Sequence, residues 1–111
     1  MKTIKLLNKL YSNPISCLAI YSPSVAKILD GKIDLILVGD SLGTTLYGMK
    51  NTQGVTLKMM LEHGLAVVKN TKKSLTVVDM PYKTYENKLQ AFRNAVRILS
   101  HTKANLIKIE I

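Results

Sequence analysis

The chain has 111 residues, 16 of them Lys or Arg and 7 Asp or Glu, so it carries a formal net charge of +9 and is long enough for one modest core. Fourteen of the basic residues are lysines, spread from Lys2 to Lys108 with no run longer than Lys72-Lys73, and aromatic residues make up 5%. This distribution argues against a nucleic-acid partner, which calls for a concentrated basic patch with stacking rings, and reads as a solvated surface.

Lysines 2, 5 and 9 interrupt the apolar N-terminus, so this stretch lacks the continuous apolar core of a signal peptide. Thr3 to Tyr11 reads as a short amphipathic helix, with Ile4, Leu7 and Leu10 or Tyr11 on one side, stopped at Asn13-Pro14. The uncharged stretch Leu10 to Ala26 holds Pro14, Pro23 and four serines, which argues against a membrane span. Ile15 to Ile20 reads as the first strand. Within it, Cys17 is the single cysteine, which excludes a disulfide framework, fits a reducing cytoplasm and reads as a buried structural thiol.

A short helix follows over Ser24 to Leu29, then a turn at Asp30-Gly31-Lys32 and a second strand, Ile33 to Val38. Asp40 to Gly54 is polar, contains Gly43, Gly48 and Gly54, and reads as one long loop. Thr56 caps a helix reaching about Asn70, with Leu57, Met60, Leu61, Leu65 and Val68 on the 3.6-residue period and Met59 at its rim. Ser74 to Val78 is the third strand. Thr84 is placed to cap the next helix, whose predicted core stripe is Leu89, Phe92, Val96 and Leu99, and Ala104 to Ile111 is the fourth strand. Alternation of strands and helices predicts right-handed crossovers and a parallel sheet.

The strand ends carry the chemistry. Val38-Gly39-Asp40-Ser41-Leu42-Gly43 delivers a carboxylate and a hydroxyl at one tip, with glycines that permit close approach of a ligand. Asp79 ends the third strand, and Lys108 and Glu110 share one face of the fourth. Asp40, Asp79 and Glu110 form a hard, all-oxygen set suited to Mg²⁺, and without a cation such acids would raise one another's pKa values. Lys108 reads either as a ligand for a substrate carboxylate or as a snorkelling edge residue. Ser41 reads equally as a ligand contact or a turn residue. His63, on a helix, reads as packing and is left out of the site.

The blocks Val38 to Gly43, Gly48, Val55-Thr56, Asp79-Met80-Pro81-Tyr82 and Ala104 to Glu110 together resemble, in order and spacing, the ketopantoate hydroxymethyltransferases (3-methyl-2-oxobutanoate hydroxymethyltransferases). The resemblance runs from about Ala19 to Glu110. It implies an α/β fold, the N-terminal half of a (β/α)8 TIM barrel, with residues 1–111 as a single truncated barrel domain. It further implies Mg²⁺ held by Asp40, Asp79 and Glu110, and a 2-oxo acid bound by Asp40, Ser41, Asp79 and Lys108. The implied reaction transfers a hydroxymethyl group from 5,10-methylenetetrahydrofolate to 3-methyl-2-oxobutanoate, giving 2-dehydropantoate for pantothenate synthesis in the cytoplasm. The family's general base belongs to the second half of the barrel, so the resemblance assigns no catalytic residue here and implies that the chain alone is inactive. A non-catalytic remnant, or an Mg²⁺-binding or interaction fragment, is the alternative.

Several positions depart from the family pattern. Ala19-Ile20-Tyr21-Ser22 stands where Thr-Ala-Tyr-Asp is common, Gly54 where proline is usual, and Lys103 where glycine is usual. Half a barrel also leaves two sheet edges and their apolar helix faces to be covered. The expected partners are therefore a small 2-oxo acid and either a second copy or a C-terminal half, with no nucleic acid or membrane.

Overall fold

The apolar runs between the polar turns form strands, and the amphipathic runs between them form helices. A computed structural model describes residues 4–5, 8–9 and 12–110. It contains β1 (Cys17–Ala19), α1 (Pro23–Leu29), β2 (Leu35–Val38), α2 (Leu42–Leu46), a 3₁₀ turn (Thr52–Gly54), α3 (Leu57–Lys69), β3 (Leu75–Asp79), α4 (Lys88–Thr102) and β4 (Leu106–Lys108). The predicted N-terminal helix falls partly on residues outside those described, Leu7, Leu10 and Tyr11 among them, and so does Ile111.

The strands form one parallel sheet in the order β1-β2-β3-β4. In register, Ala19 lies beside Leu37, Leu37 beside Val77 and Val77 beside Leu106. Every consecutive pair is joined by a helical crossover, as parallel strands require. This α/β order is that of the first half of a (β/α)8 barrel, as expected. Side chains from β2 and β3, including Ile36, Val38 and Val78, pack with Met60 and Val67 of α3 and Ile98 of α4 in a fully buried core. Gly64 makes this approach possible, because a Cβ there would lie 2.9 Å from Thr102 Cγ2 and 3.2 Å from Val78 Cγ2.

Polar side chains fasten the N-terminal end of the sheet. The Asp30 carboxylate accepts backbone N–H bonds from Lys72, Lys73 and Ser74, each 2.8 Å. Asp34 accepts from the Ser16 N–H at 2.9 Å and from Lys9 Nζ at 2.7 Å. Between β3 and β4, Asn105 Oδ1 accepts from the Thr76 N–H, while the Asn105 N–H donates to the Thr76 carbonyl. Lys103 closes α4 at φ +64°, the left-handed conformation that glycine adopts at least cost.

Four local expectations are corrected. Residues 40–54 are not one open loop, since α2 and the 3₁₀ turn interrupt it, anchored by the fully buried Leu42. Five residues are too few to show a helical period. The cap of α4 is Asn87, whose side chain accepts from the Gln90 N–H, whereas Thr84 Oγ1 donates to the Pro81 carbonyl. The inward face of α4 is made by Ile98 and Thr102 with Ala95 and Leu99 beside them, while Leu89, Phe92 and Val96 are 57%, 68% and 48% exposed. Cys17 is exposed, because β1 is a three-residue strand with a neighbour on one side only.

Candidate functional site

The site lies at the C-terminal ends of β2, β3 and β4, the end where βα loops collect functional groups in barrels of this kind. β2 ends at Val38, and the chain turns at Gly39 so that the Asp40 N–H donates to Asp79 Oδ2 at 2.9 Å. Gly39 lies against both side chains: a Cβ there would be 3.3 Å from Ser41 Oγ and 3.4 Å from Asp79 Oδ2. Side chains of two separate strand ends thus converge over one bare Cα.

Asp79 is buried at the end of β3 and holds the site together. Its Oδ1 accepts from Lys108 Nζ at 3.3 Å, and the same ammonium donates to Glu110 Oε1 at 2.6 Å. β4 brings Lys108 into place because it pairs alongside β3 with Lys108 beside Asp79, and the Met80 N–H continues the ladder by donating to the Lys108 carbonyl. Lys108 and Glu110 share a face, as their spacing predicts. The ammonium points into the acid cluster.

Charge is unevenly settled among the three acids. The hydrogen bond from Lys108, and then its positive charge, hold the Glu110 carboxyl below the usual range. The hydrogen bond to Glu110 raises the Lys108 pKa, with further support from Asp79. Asp40 is pushed up, first by burial and then by the negative charges of Asp79 and Glu110, with Lys108 opposing. Among the described residues, the Asp40 carboxylate accepts no hydrogen bond. It is a half-buried acid facing two others.

Among the described residues, no three His, Cys, Asp or Glu side chains are grouped as a metal site, and Lys108 is bonded to two of the three acids. The donor chemistry still suits a hard divalent cation: oxygen ligands only, with excess negative charge concentrated on Asp40.

The polar surroundings extend beyond the acids. Ser41 caps α2 without a side-chain cap bond, and its Oγ instead lies 2.5 Å from the Tyr21 hydroxyl. Tyr21 was legible in the sequence only as a matched position near the first strand. His63, read as packing, is hydrogen-bonded through Nε2 to the Tyr47 hydroxyl at 2.8 Å. Among the described residues, no helix is long and apolar enough to cross a membrane.

Comparison with known proteins bears on the family of the chain. The profile of the family described as ketopantoate hydroxymethyltransferase matches residues 1–111. A 3-methyl-2-oxobutanoate hydroxymethyltransferase from Rhodospirillum rubrum is 51% identical over 100 residues, covering 89% of this chain and 36% of that protein. Its counterpart from Rhizobium etli is 54% identical over 98 residues, 87% of this chain and 36% of that protein. That of Pelagibacter ubique is 47% identical over 109 residues, 98% of this chain and 42% of that protein. The chain spans little more than a third of the length of these curated relatives.

Proposed function

Because the chain belongs to the ketopantoate hydroxymethyltransferase family, we propose that its residues form the metal- and 2-oxo-acid-binding part of a 3-methyl-2-oxobutanoate hydroxymethyltransferase. The observation that carries this reading is the convergence on Asp79. One of its oxygens takes the Asp40 N–H and the other takes Lys108, which leaves the Asp40 carboxylate unpaired beside it. The co-substrate proposed is 5,10-methylenetetrahydrofolate and the product 2-dehydropantoate, for pantothenate synthesis in the cytoplasm.

In this reading Asp40 and Asp79 hold Mg²⁺, with Glu110 alongside. When bound, the cation polarises the keto group of the oxo acid and acidifies its C3–H. Lys108 exchanges its bonds to the acids for the substrate carboxylate, a charge-assisted contact that fixes orientation. Ser41 donates a hydroxyl hydrogen bond to the same ligand. Asp79, anchored by the Asp40 N–H, keeps the two strand ends at fixed separation. The reading gives residues 1–111 the binding of the oxo acid and assigns the removal of the C3 proton to none of them.

Titration calorimetry of 3-methyl-2-oxobutanoate at saturating Mg²⁺ should show binding that a chelator removes. Asp79→Ala should weaken it by at least about 30-fold, since a charge-assisted contact and a metal ligand go together. Binding that ignores both Mg²⁺ and Asp79 would overturn the metal reading, and no binding at all would favour the non-catalytic fragment. Proton NMR in heavy water should show no exchange at C3 with the 111-residue chain alone. Exchange that disappears in Asp79→Ala would contradict that expectation.

The same reading extends to assembly. Edge strands β1 and β4 and the exposed apolar residues Ile28, Leu89 and Phe92 support pairing with a second copy or with further barrel strands. Light scattering of the 111-residue chain should therefore give a mass above 12.3 kDa, and a soluble monomer would sink the idea.

A further inference from the structure

A polar chain separate from the acids also ends at the site. Tyr21 leaves β1 with its hydroxyl 2.5 Å from Ser41 Oγ, the only side-chain partner of that oxygen among the described residues. Its carbonyl oxygen is 3.5 Å from Nδ1 of His63, in the middle of α3. His63 Nε2 in turn lies 2.8 Å from the hydroxyl of Tyr47, the residue closing α2, and the two rings meet edge to face at 5.7 Å. A carbonyl can only accept, so in the contact with Tyr21 Nδ1 is the donor, and in the neutral ring Nε2 is then the acceptor for Tyr47. Behind the histidine is an open cleft of about 420 Å³ lined by Tyr21, Pro23, Leu46, Glu62 and Ala66. The contact is therefore a brace at the rim of the molecule, outside the buried core.

These contacts answer a problem that Ser41 has. A serine with no cap bond samples three staggered rotamers, and one of them must be selected before its hydroxyl can meet a ligand. We propose that Tyr21, braced by His63 and Tyr47, is a positioning residue that holds Ser41 Oγ in the rotamer facing the oxo acid. The part played by the oxo acid rests on the function proposed above. The bracing of Ser41 by Tyr21 does not. The brace also ties the end of β1 to α3 through His63 and to the end of α2 through Tyr47, so that α3 reaches Ser41 only by way of Tyr21. Preorganisation of this sort tightens binding by sparing the ligand the cost of ordering the side chain.

The test has an arm without ligand and an arm with it. In isotopically labelled protein, the Hα–Hβ couplings of Ser41 should report one rotamer. They should become averaged in Tyr21→Phe, which removes one oxygen and keeps the ring, and in His63→Ala. His63→Gln, which retains a hydrogen-bonding group there, should restore them in part. With Mg²⁺ and 3-methyl-2-oxobutanoate present, Tyr21→Phe and His63→Ala should each weaken binding about 3- to 10-fold, and neither should weaken it further in a Ser41→Ala background. Couplings unchanged in both variants would overturn the proposal, as would losses that multiply in the Ser41→Ala background. If the wild type binds no oxo acid while the couplings respond as expected, the brace stands and the function proposed for the site falls.

Discussion

At the N-terminal end of the sheet the Asp30 carboxylate accepts three backbone N–H groups, whereas at the C-terminal end the Asp40 carboxylate accepts none among the described residues and faces two other acids. Asp34 and Asp40 differ in the same way. The hydrogen bond from Lys9, and then the Ser16 N–H, lower the Asp34 pKa, while burial and like charge raise that of Asp40. One end uses acids to close turns and join segments distant in sequence. The other gathers like charge, which works against the ionised form of Asp40 and raises its pKa. The division matches the general one in barrels, where the N-terminal face carries stability and the C-terminal face carries chemistry.

The largest effect should come from the stabilising end. Asp30→Ala removes the acceptor of three N–H groups at the entry to β3 and should cost about 2–4 kcal/mol, read from urea denaturation. A loss no greater than that of a surface substitution would break the comparison. Lys103→Gly, also at the N-terminal side of the sheet, relieves the φ of +64° and should add about 0.5–1 kcal/mol without altering ligand affinity.

Asp40→Asn should act in the opposite sense to Asp30→Ala. Because the folded pKa of Asp40 is raised, the folded state holds the extra proton between the unfolded and folded values, and stability falls as pH rises through that window. The variant should therefore be more stable than wild type at neutral pH, by about 0.5 kcal/mol after solvent screening, with the gain gone below the unfolded value of about 3.9. Mg²⁺ should stabilise the wild type and not the variant. Asp34→Asn gives the smallest and mirrored effect. With a lowered folded pKa, its contribution is complete above the ordinary carboxylate value and disappears as pH falls through the lowered one. Thermal melts across pH 3–7 separate the two signs.

The elements that the sequence made legible are those with a strong local cause. The β2 and β3 runs are mostly apolar because one face of each packs into the core with α3 and α4, and Thr56 caps α3 through the Met59 N–H as its position suggested. The acids stood out because each ends an apolar run. The stripe of α4 was less legible, since that helix carries apolar residues on two sides and the pattern alone does not say which one meets α3. The Tyr21–Ser41 contact was hidden, since 20 positions separate its partners.

The sequence by itself determined the alternation of strands and helices, the parallel order, the family, and the placement of Asp40, Asp79, Lys108 and Glu110 at strand ends. All of these follow from local periodicity and short motifs. Only the tertiary structure decided that Lys108 bonds both Asp79 and Glu110 while Asp40 goes unpaired, that the inner face of α4 is Ile98 and Thr102, and that Tyr21 and His63 brace Ser41. The physical reason is that these depend on sheet register and helix packing, which bring residues 20 to 42 positions apart within hydrogen-bonding reach, and a local pattern carries no record of such distances.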